Sequence, residues 1–254
     1  LIDLSGKTAL VTGGSRGIGR ACALRLADCG ANVAVNFLSS RDAATDVAKQ
    51  INQRGVGSIA VRADVSRQDD CHALVSAVAE HFGGLDIVIS NAAAGGFRGV
   101  AQLTAPNLEA AIRTNAAPVA WLCQAAAEHL ADENDFGKVI AISSHGSIRA
   151  VDHYAAIGAS KAALESLVRH MALEYGPQGI NFNCVMPGIV RTEAVSTMPG
   201  VEDVLAAAKE RLLVSKRDLS PDDVSGVVAF LASRQADMIQ GQTIIVDGGI
   251  TVRV

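Results

Sequence analysis

Short apolar stretches bounded by Gly, Asn, Asp or Pro alternate along this chain with longer stretches whose apolar residues recur at helical spacing. The short stretches predict strands at Thr8–Thr12, Asn32–Phe37, Ser58–Arg62, Ile87–Ser90, Lys138–Ser143, Asn181–Met186 and Thr243–Val246. Helical periodicity covers Gly17–Cys29, Arg41–Arg54, Gln68–Phe82, Leu108–Ala131, Tyr154–Tyr175 and Asp222–Ala232. Strands apolar nearly throughout, alternating with helices, predict an α/β fold: a doubly wound parallel sheet of about seven strands, covered on both faces. Ser220 before Pro221 has the form of a helix start. The segment at about 189–219 breaks the alternation; it holds Met198-Pro199-Gly200 and a helix predicted at Val201–Leu213. A long excursion at the C-terminal end of a strand is where such a sheet places ligands, so this segment reads as a substrate lid. No repeat or linker divides the chain, and 1–254 reads as one domain.

Composition narrows the picture without fixing chemistry. Hydrophobic residues make up 49% and charged residues 19%, which suits a large buried core, while the aromatic share of 4% favours close helix-on-sheet packing. A net charge of −4 gives no global reason to expect nucleic acid. Cys22, Cys29, Cys71, Cys123 and Cys184 are dispersed, with no paired spacing or histidine-rich cluster. They read as reduced, buried thiols, and no metal site is expected. No apolar run reaches the ~20 residues of a membrane span, and the start at Leu1 lacks a signal-type pattern. The expectation is a cytoplasmic protein with no membrane partner.

The first strand runs into Thr12-Gly13-Gly14-Ser15-Arg16-Gly17-Ile18-Gly19 and then a helix. Glycines let backbone approach a pyrophosphate whose charge meets the helix N-terminus. Glycine patterns alone are weak evidence, since turns use glycine for steric reasons; the strand-to-helix setting gives this one weight. The motif resembles that of the short-chain dehydrogenase/reductase family, and the resemblance extends over essentially the whole chain. It implies a single Rossmann-type domain holding a nicotinamide cofactor. Gly13, Ser15, Arg16, Gly17, Ile18 and Gly19 then form the cofactor loop, and Asp64 with Val65 contacts the adenine. Asn91-Ala92-Ala93 is similar to the family's Asn-Ala-Gly motif, with Ala93 replacing the usual Gly. Asn115 matches the asparagine that supports the active site. Pro187, Gly188, Ile189 and Thr192 match the segment on the nicotinamide side.

A site for NAD places an acid at the end of the second strand, on the ribose 2′-hydroxyl. Here that strand ends Val35-Asn36-Phe37-Leu38-Ser39-Ser40-Arg41, with Phe37 at the expected acidic position. With no carboxylate to repel a 2′-phosphate, and with Arg16, Arg41, Ser39 and Ser40 as donors, NADPH is the expected cofactor. A solvated surface role for Arg41 remains open.

In the usual reductase of this family a Ser precedes the Tyr by thirteen positions and the Tyr precedes the Lys by four. Counted back from Lys161, those positions are Ser144 and Ile157, and the tyrosine is instead Tyr154, seven residues before Lys161. Seven residues are nearly two helical turns, so Tyr154 and Lys161 share a face. Tyr154 is retracted by ~4.5 Å from position 157 if the helix includes it. A carbonyl reductase delivers hydride to the carbonyl carbon; an enoyl reductase delivers it to the β-carbon while charge still collects on the carbonyl oxygen. The retracted hydroxyl fits the second geometry.

Tyr-x6-Lys is also the pattern of the enoyl-acyl carrier protein reductases in this superfamily. Ser143-Ser144-His145-Gly146-Ser147-Ile148-Arg149 and Ala236–Gly249 resemble the NADPH-dependent type III. His145 departs from that pattern, where an apolar residue is usual. The resemblance implies reduction of enoyl thioesters in fatty-acid or polyketide-type biosynthesis, with Tyr154, Lys161, Ser144 and Asn115 as the catalytic set and a homotetramer as the assembly. Lys161 would hold the nicotinamide ribose and Ser144 would orient substrate. His145 and His153 flank the site, and each reads first as a hydrogen-bonded loop residue. An acyl carrier protein needs a basic dock, for which Arg98, Lys209, Arg211, Lys216 and Arg217 are candidates; ordinary solvated charges are the plainer reading. Two other readings stay open, a 3-ketoacyl or other carbonyl reductase and a non-catalytic, cofactor-sensing or interaction protein.

Overall fold

A computed structural model describes residues 2–132, 135–214 and 217–252. Seven strands form one sheet: β1 (Thr8–Val11), β2 (Asn32–Phe37), β3 (Ser58–Arg62), β4 (Ile87–Ser90), β5 (Gly137–Ile142), β6 (Ile180–Pro187) and β7 (Thr243–Val246). Every pairing is parallel, in the order β3-β2-β1-β4-β5-β6-β7. The strand order reverses between β1 and β4, and a crevice opens beyond their C-terminal ends. β1, β4, β5 and β6 are buried at every position, which is why they read as unbroken apolar runs.

Helices cover both faces. Helices α1 (Gly17–Asp28) and α2 (Arg41–Asn52) pack on one side with the last helix, α9 (Pro221–Leu231), around Leu26, Val33, Val47 and Val228. On the other side α3 (Gln68–Phe82), α4 (Ala105–Asn115), α5 (Ala117–Leu130) and α6 (Ala155–Tyr175) enclose Leu74, Leu122, Leu164 and Phe182. α9 starts as expected, with Pro221 in its first turn and Ser220 and Asp223 closing a capping box. No helix among the described residues is long and apolar enough to cross a membrane.

The expected helix Leu108–Ala131 is two helices. The first begins earlier, at a capping box between Thr104 and Asn107, and the chain breaks at Ala116 (φ −110°, ψ −54°). Pro118 explains the break: it lacks an N–H, and its ring clashes with the carbonyl four residues back in a continuous helix. The break leaves Asn115 as the last residue of α4, 2% exposed. Helical periodicity in the lid is also shorter than expected: α7 (Glu193–Ser196) is one turn, and α8 is Val201–Arg211. In α8 Leu205 is the one residue classed as buried, so this segment rests lightly on the body.

Candidate active site

The glycine loop is held from three strands. Asn91, just past β4, donates through Nδ2 to Thr12 O (2.9 Å) and Gly13 O (3.3 Å). Thr12 Oγ1 in turn accepts from the backbone N–H of Asn91 and of Ala92, each at 3.0 Å. From β2, Asn36 O accepts from Gly14 N at 3.0 Å, and Asn36 Oδ1 accepts from Gly13 N at 3.3 Å. The Asn36 amide also donates to Val61 O and Ala63 O, bracing the loop to β3. Asn36 was not anticipated; at 2% exposure it looks from sequence like any strand residue. Gly19 is required sterically, because a Cβ there would lie 2.5 Å from Asn91 Nδ2 and inside contact range of Gly13 O. This is a cradle that side chains would fill, at the N-terminus of α1, and it fits a dinucleotide pyrophosphate.

The remaining predicted cofactor residues surround that cradle unevenly. Asp64 follows β3, its carboxylate accepting from Ser66 N at 3.0 Å, beside buried Val65. Phe37 is 5% exposed and belongs to the core, so its position offers backbone and no side-chain ligand. Ser39, Ser40 and Arg41 lie at the turn into α2. Arg62, which the sequence reading passed over, donates to Leu38 O at 3.0 Å and adds a cation at the end of β2. Arg16 bonds Glu193 of the lid at 2.8 Å, both side chains well exposed. Gly188 N donates to Val246 O at 2.8 Å, fixing the turn after Pro187, and Ile189 follows it. Thr192 caps α7 through Val195 N, and a Cβ at Gly17 would lie 3.4 Å from its Cγ2. The start of the lid therefore lies across the glycine loop.

On the reactive side, Tyr154 is the residue before α6 and not part of it (φ −111°, ψ 4°). That corrects the assumption of a helix already formed at Tyr154. The first helical bond nevertheless starts there, from Gly158 N to Tyr154 O at 2.7 Å. His153 precedes it in the left-handed region (φ 59°), the one non-glycine residue with positive φ among those described. Such backbone is tolerated by His more often than by most residues and tends to mark functional turns. The Tyr154 hydroxyl donates to Ser144 Oγ at 3.1 Å. Its ring lies on Gly146, where a Cβ would sit 2.5 Å from Cε1. Burial raises the Tyr154 pKa, and the Ser144 bond opposes that in part. The phenol is thus a proton-bearing donor at neutral pH. Ile157, at the place of the usual tyrosine, is 8% exposed and packs against Gly95, where a Cβ would lie 2.6 Å from its Cγ1.

Lys161 is 4% exposed and donates to Ile142 O at 2.7 Å. Burial pushes its pKa down to about 8, with Cys184 and Glu165 pulling the other way. Asn115 Oδ1 accepts from Ala94 N at 2.8 Å, and its Nδ2 donates to Ser160 Oγ at 2.9 Å. Asn115 therefore ties the loop after β4 to the residue preceding Lys161. Glu165, one turn beyond Lys161 and 7% exposed, accepts from the hydroxyls of Ser143 and of Ser147 (2.6 Å for the latter). These bonds fix the turn that carries Ser144. Glu165 was missed because a lone glutamate in a helix looks like a surface residue. His145 Nε2 lies 3.2 Å from Asp247 Oδ2, without hydrogen-bonding geometry. Burial lowers its pKa, and Asp247 offsets this in part.

A cavity of about 390 Å³ adjoins Tyr154, lined by Arg98, Gly99, Val100, Gly146, Arg149 and His153 among others. Of the proposed basic rim, Arg98 lines it. Lys209 pairs with Asp218 and Arg217 with Asp223, Arg211 ends α8, and Lys216 lies outside the described residues.

A family model described as enoyl-(acyl carrier protein) reductase matches residues 13–251. The chain belongs to the short-chain dehydrogenase/reductase family. Among relatives in that family, a 1-cyclohexenylcarbonyl-CoA reductase of Streptomyces collinus is 36% identical, covering 97% of this chain and 87% of its own. A 3β-hydroxysteroid dehydrogenase of Eggerthella lenta is 35% identical, covering 98% and 95% respectively. A short-chain dehydrogenase of Burkholderia cenocepacia, solved with NADP, superposes with a TM-score of 0.88 at 37% identity, covering 98% of this chain and 99% of its own. This chain is accordingly an oxidoreductase of the short-chain type with a nicotinamide cofactor. Relatives of nearly equal identity act on unlike substrates.

Proposed function

We propose that the protein reduces the 2,3 double bond of enoyl thioesters with NADPH. The observation that carries the reading is the position of the hydroxyl. Tyr154 presents it beside Ser144, while Ile157 fills the usual place with a buried hydrocarbon. The relative that acts on a cyclohexenylcarbonyl-CoA supports the same class of chemistry. Arg16, Arg41 and Arg62, with no acid at the end of β2, favour the phosphorylated cofactor.

NADPH supplies a hydride to the substrate β-carbon. Tyr154 donates a hydrogen bond to the thioester oxygen and stabilises the enolate charge that develops there. Ser144 accepts from Tyr154 in the free enzyme; with substrate present the Tyr154 proton turns to the thioester oxygen, and the Ser144 hydroxyl donates to the phenol oxygen and so orients it. Lys161, whose ammonium donates to Ile142 O, would hold the nicotinamide ribose and add positive charge near the enolate. Asn115 keeps the backbone around Lys161 in place. The α-carbon takes its proton from Tyr154 or from water, completing the addition of H⁻ and H⁺ across the double bond. A fatty-acid or polyketide-type pathway and a homotetramer follow from the same resemblance. Exposed Leu108 on α4 and Leu173 on α6 suit subunit packing, which light scattering would test.

NADPH oxidation is to be followed with 2-butenoyl and acetoacetyl thioesters in parallel. Turnover of the butenoyl substrate is expected. Turnover of the keto substrate alone would sink the reading in favour of a carbonyl reductase. NADPH binding without any turnover would favour a non-catalytic role.

A further inference from the structure

We propose that Arg98 and Arg149 form an anion subsite beside Tyr154, which takes a phosphate or carboxylate carried by the substrate. The inference rests on the thioester reading and names what the substrate must bring besides its double bond. Both arginines line the cavity that adjoins Tyr154. Cations around the lid are largely spent on acids of this chain: Arg16 pairs with Glu193, Arg191 with Glu202, Lys209 with Asp218 and Arg217 with Asp223. Among the described residues no carboxylate pairs with Arg98 or Arg149, although Asp152 lines the same cavity. Two guanidinium groups against one carboxylate leave the cavity positive in a chain whose net charge is −4.

Both arginines are also placed by the backbone. Arg149 donates through Nη2 to Thr251 O at 2.5 Å, which fixes one arm of its guanidinium group. The backbone N–H of Arg98 donates to His153 O at 2.8 Å, so its loop is fastened to the residue before Tyr154. Planar N–H forks match the oxygens of phosphate and carboxylate in pairs, which a point charge does not. The acyl and thiol arms of a thioester leave the carbonyl on opposite sides. A carboxylate on a short acyl arm is the source within direct reach of a subsite beside Tyr154. The phosphate of coenzyme A or phosphopantetheine lies at the far end of the pantetheine arm and meets these arginines only if that arm folds back over the cavity.

Three thioesters separate them: the neutral 2-butenoyl N-acetylcysteamine thioester, 2-butenoyl-CoA, and the N-acetylcysteamine thioester of 2-pentenedioic acid. The measured quantity is the ratio of kcat/KM for each charged substrate to that for the neutral one. In Arg98→Ala and Arg149→Ala that ratio is expected to fall about tenfold per arginine. A fall for CoA assigns the phosphate, a fall for the diacid assigns the carboxylate, and a fall for both shows that either is accepted. Arg98→Lys and Arg149→Lys are expected to keep part of the preference, which a folding defect would not do. In the native enzyme, raising ionic strength should raise KM for the charged substrates alone. Unchanged ratios in all variants, or an equal salt effect on all three substrates, would overturn the subsite while leaving the enoyl reading intact. No turnover of any enoyl thioester by the native enzyme overturns both.

Discussion

The glycine loop and the lid face each other across the crevice, and they are built on opposite principles. The loop is fastened by two side-chain amides, buried Asn36 and half-buried Asn91, each bonding backbone on neighbouring strands. The segment at 189–219 is tied to the glycine loop by the exposed pair Arg16–Glu193, of the sort worth ~1 kcal/mol or less, while Arg191–Glu202 is a pair within the segment itself. A firmly bonded cofactor floor thus lies under a lightly attached cover. Among the relatives, names for steroid and cyclohexenylcarbonyl-CoA substrates occur at nearly equal identity to this chain.

Tyr154 tests the contrast most severely, since it lies on the substrate side yet is positioned as tightly as the floor. Removing its hydroxyl in Tyr154→Phe should lower kcat by roughly a hundredfold to a thousandfold with NADPH affinity kept. Stopped-flow turnover and a cofactor titration check both halves, and full activity in that variant would undo the assigned role. Gly19→Ala attacks the floor itself. The added Cβ meets Asn91 Nδ2 and Gly13 O, and an overpacking cost of about 3 kcal/mol corresponds to roughly a hundredfold weaker NADPH binding. If titration shows unaltered affinity, the loop is less rigid than its hydrogen bonds imply.

Lys161 gives a pH signature belonging to the floor. Burial lowers its pKa to about 8, against 10.5 for an ordinary lysine, so between these values the unfolded chain holds the proton more tightly. Unfolding free energy of the cofactor-free protein, relative to Lys161→Met, should therefore rise as pH climbs from about 8 toward 10.5. Over the same range kcat/KM should fall, up to tenfold per pH unit, as the ammonium is lost. A flat difference in chemical denaturation across that window would show that Lys161 is not desolvated. The smallest effect belongs to the cover: Glu193→Gln should change stability by less than ~1 kcal/mol. It should nevertheless shift KM for the thioester, and an unchanged KM would mean that the Arg16 contact plays no part in closing the lid.

How much of this was legible in the sequence depended on what kind of force set each feature. The strands were legible: β4, buried at every position, and β2, buried at all but its first, are near-continuous apolar runs with the expected bounds. The half-exposed edge strands β3 and β7 were bounded correctly from their β-branched content. The association of Tyr154 with Ser144 was legible too, though not through a shared helix, since Tyr154 precedes α6. The break at Ala116 was overlooked although Pro118 announces it, because apolar periodicity continues through it. Asn36, Arg62 and Glu165 act through partners distant in sequence, and no local pattern marks a residue whose role is to bond another strand. The basic rim illustrates the converse: the charges are there, but Lys209 and Arg217 already answer to Asp218 and Asp223.

The touch of Thr192 and Glu193 on the glycine loop carries a consequence for turnover. On the proposed reading, product leaving past this segment and dinucleotide exchanging beneath it disturb the same small contact, so the pace of the cycle can be governed by how often that one joint opens.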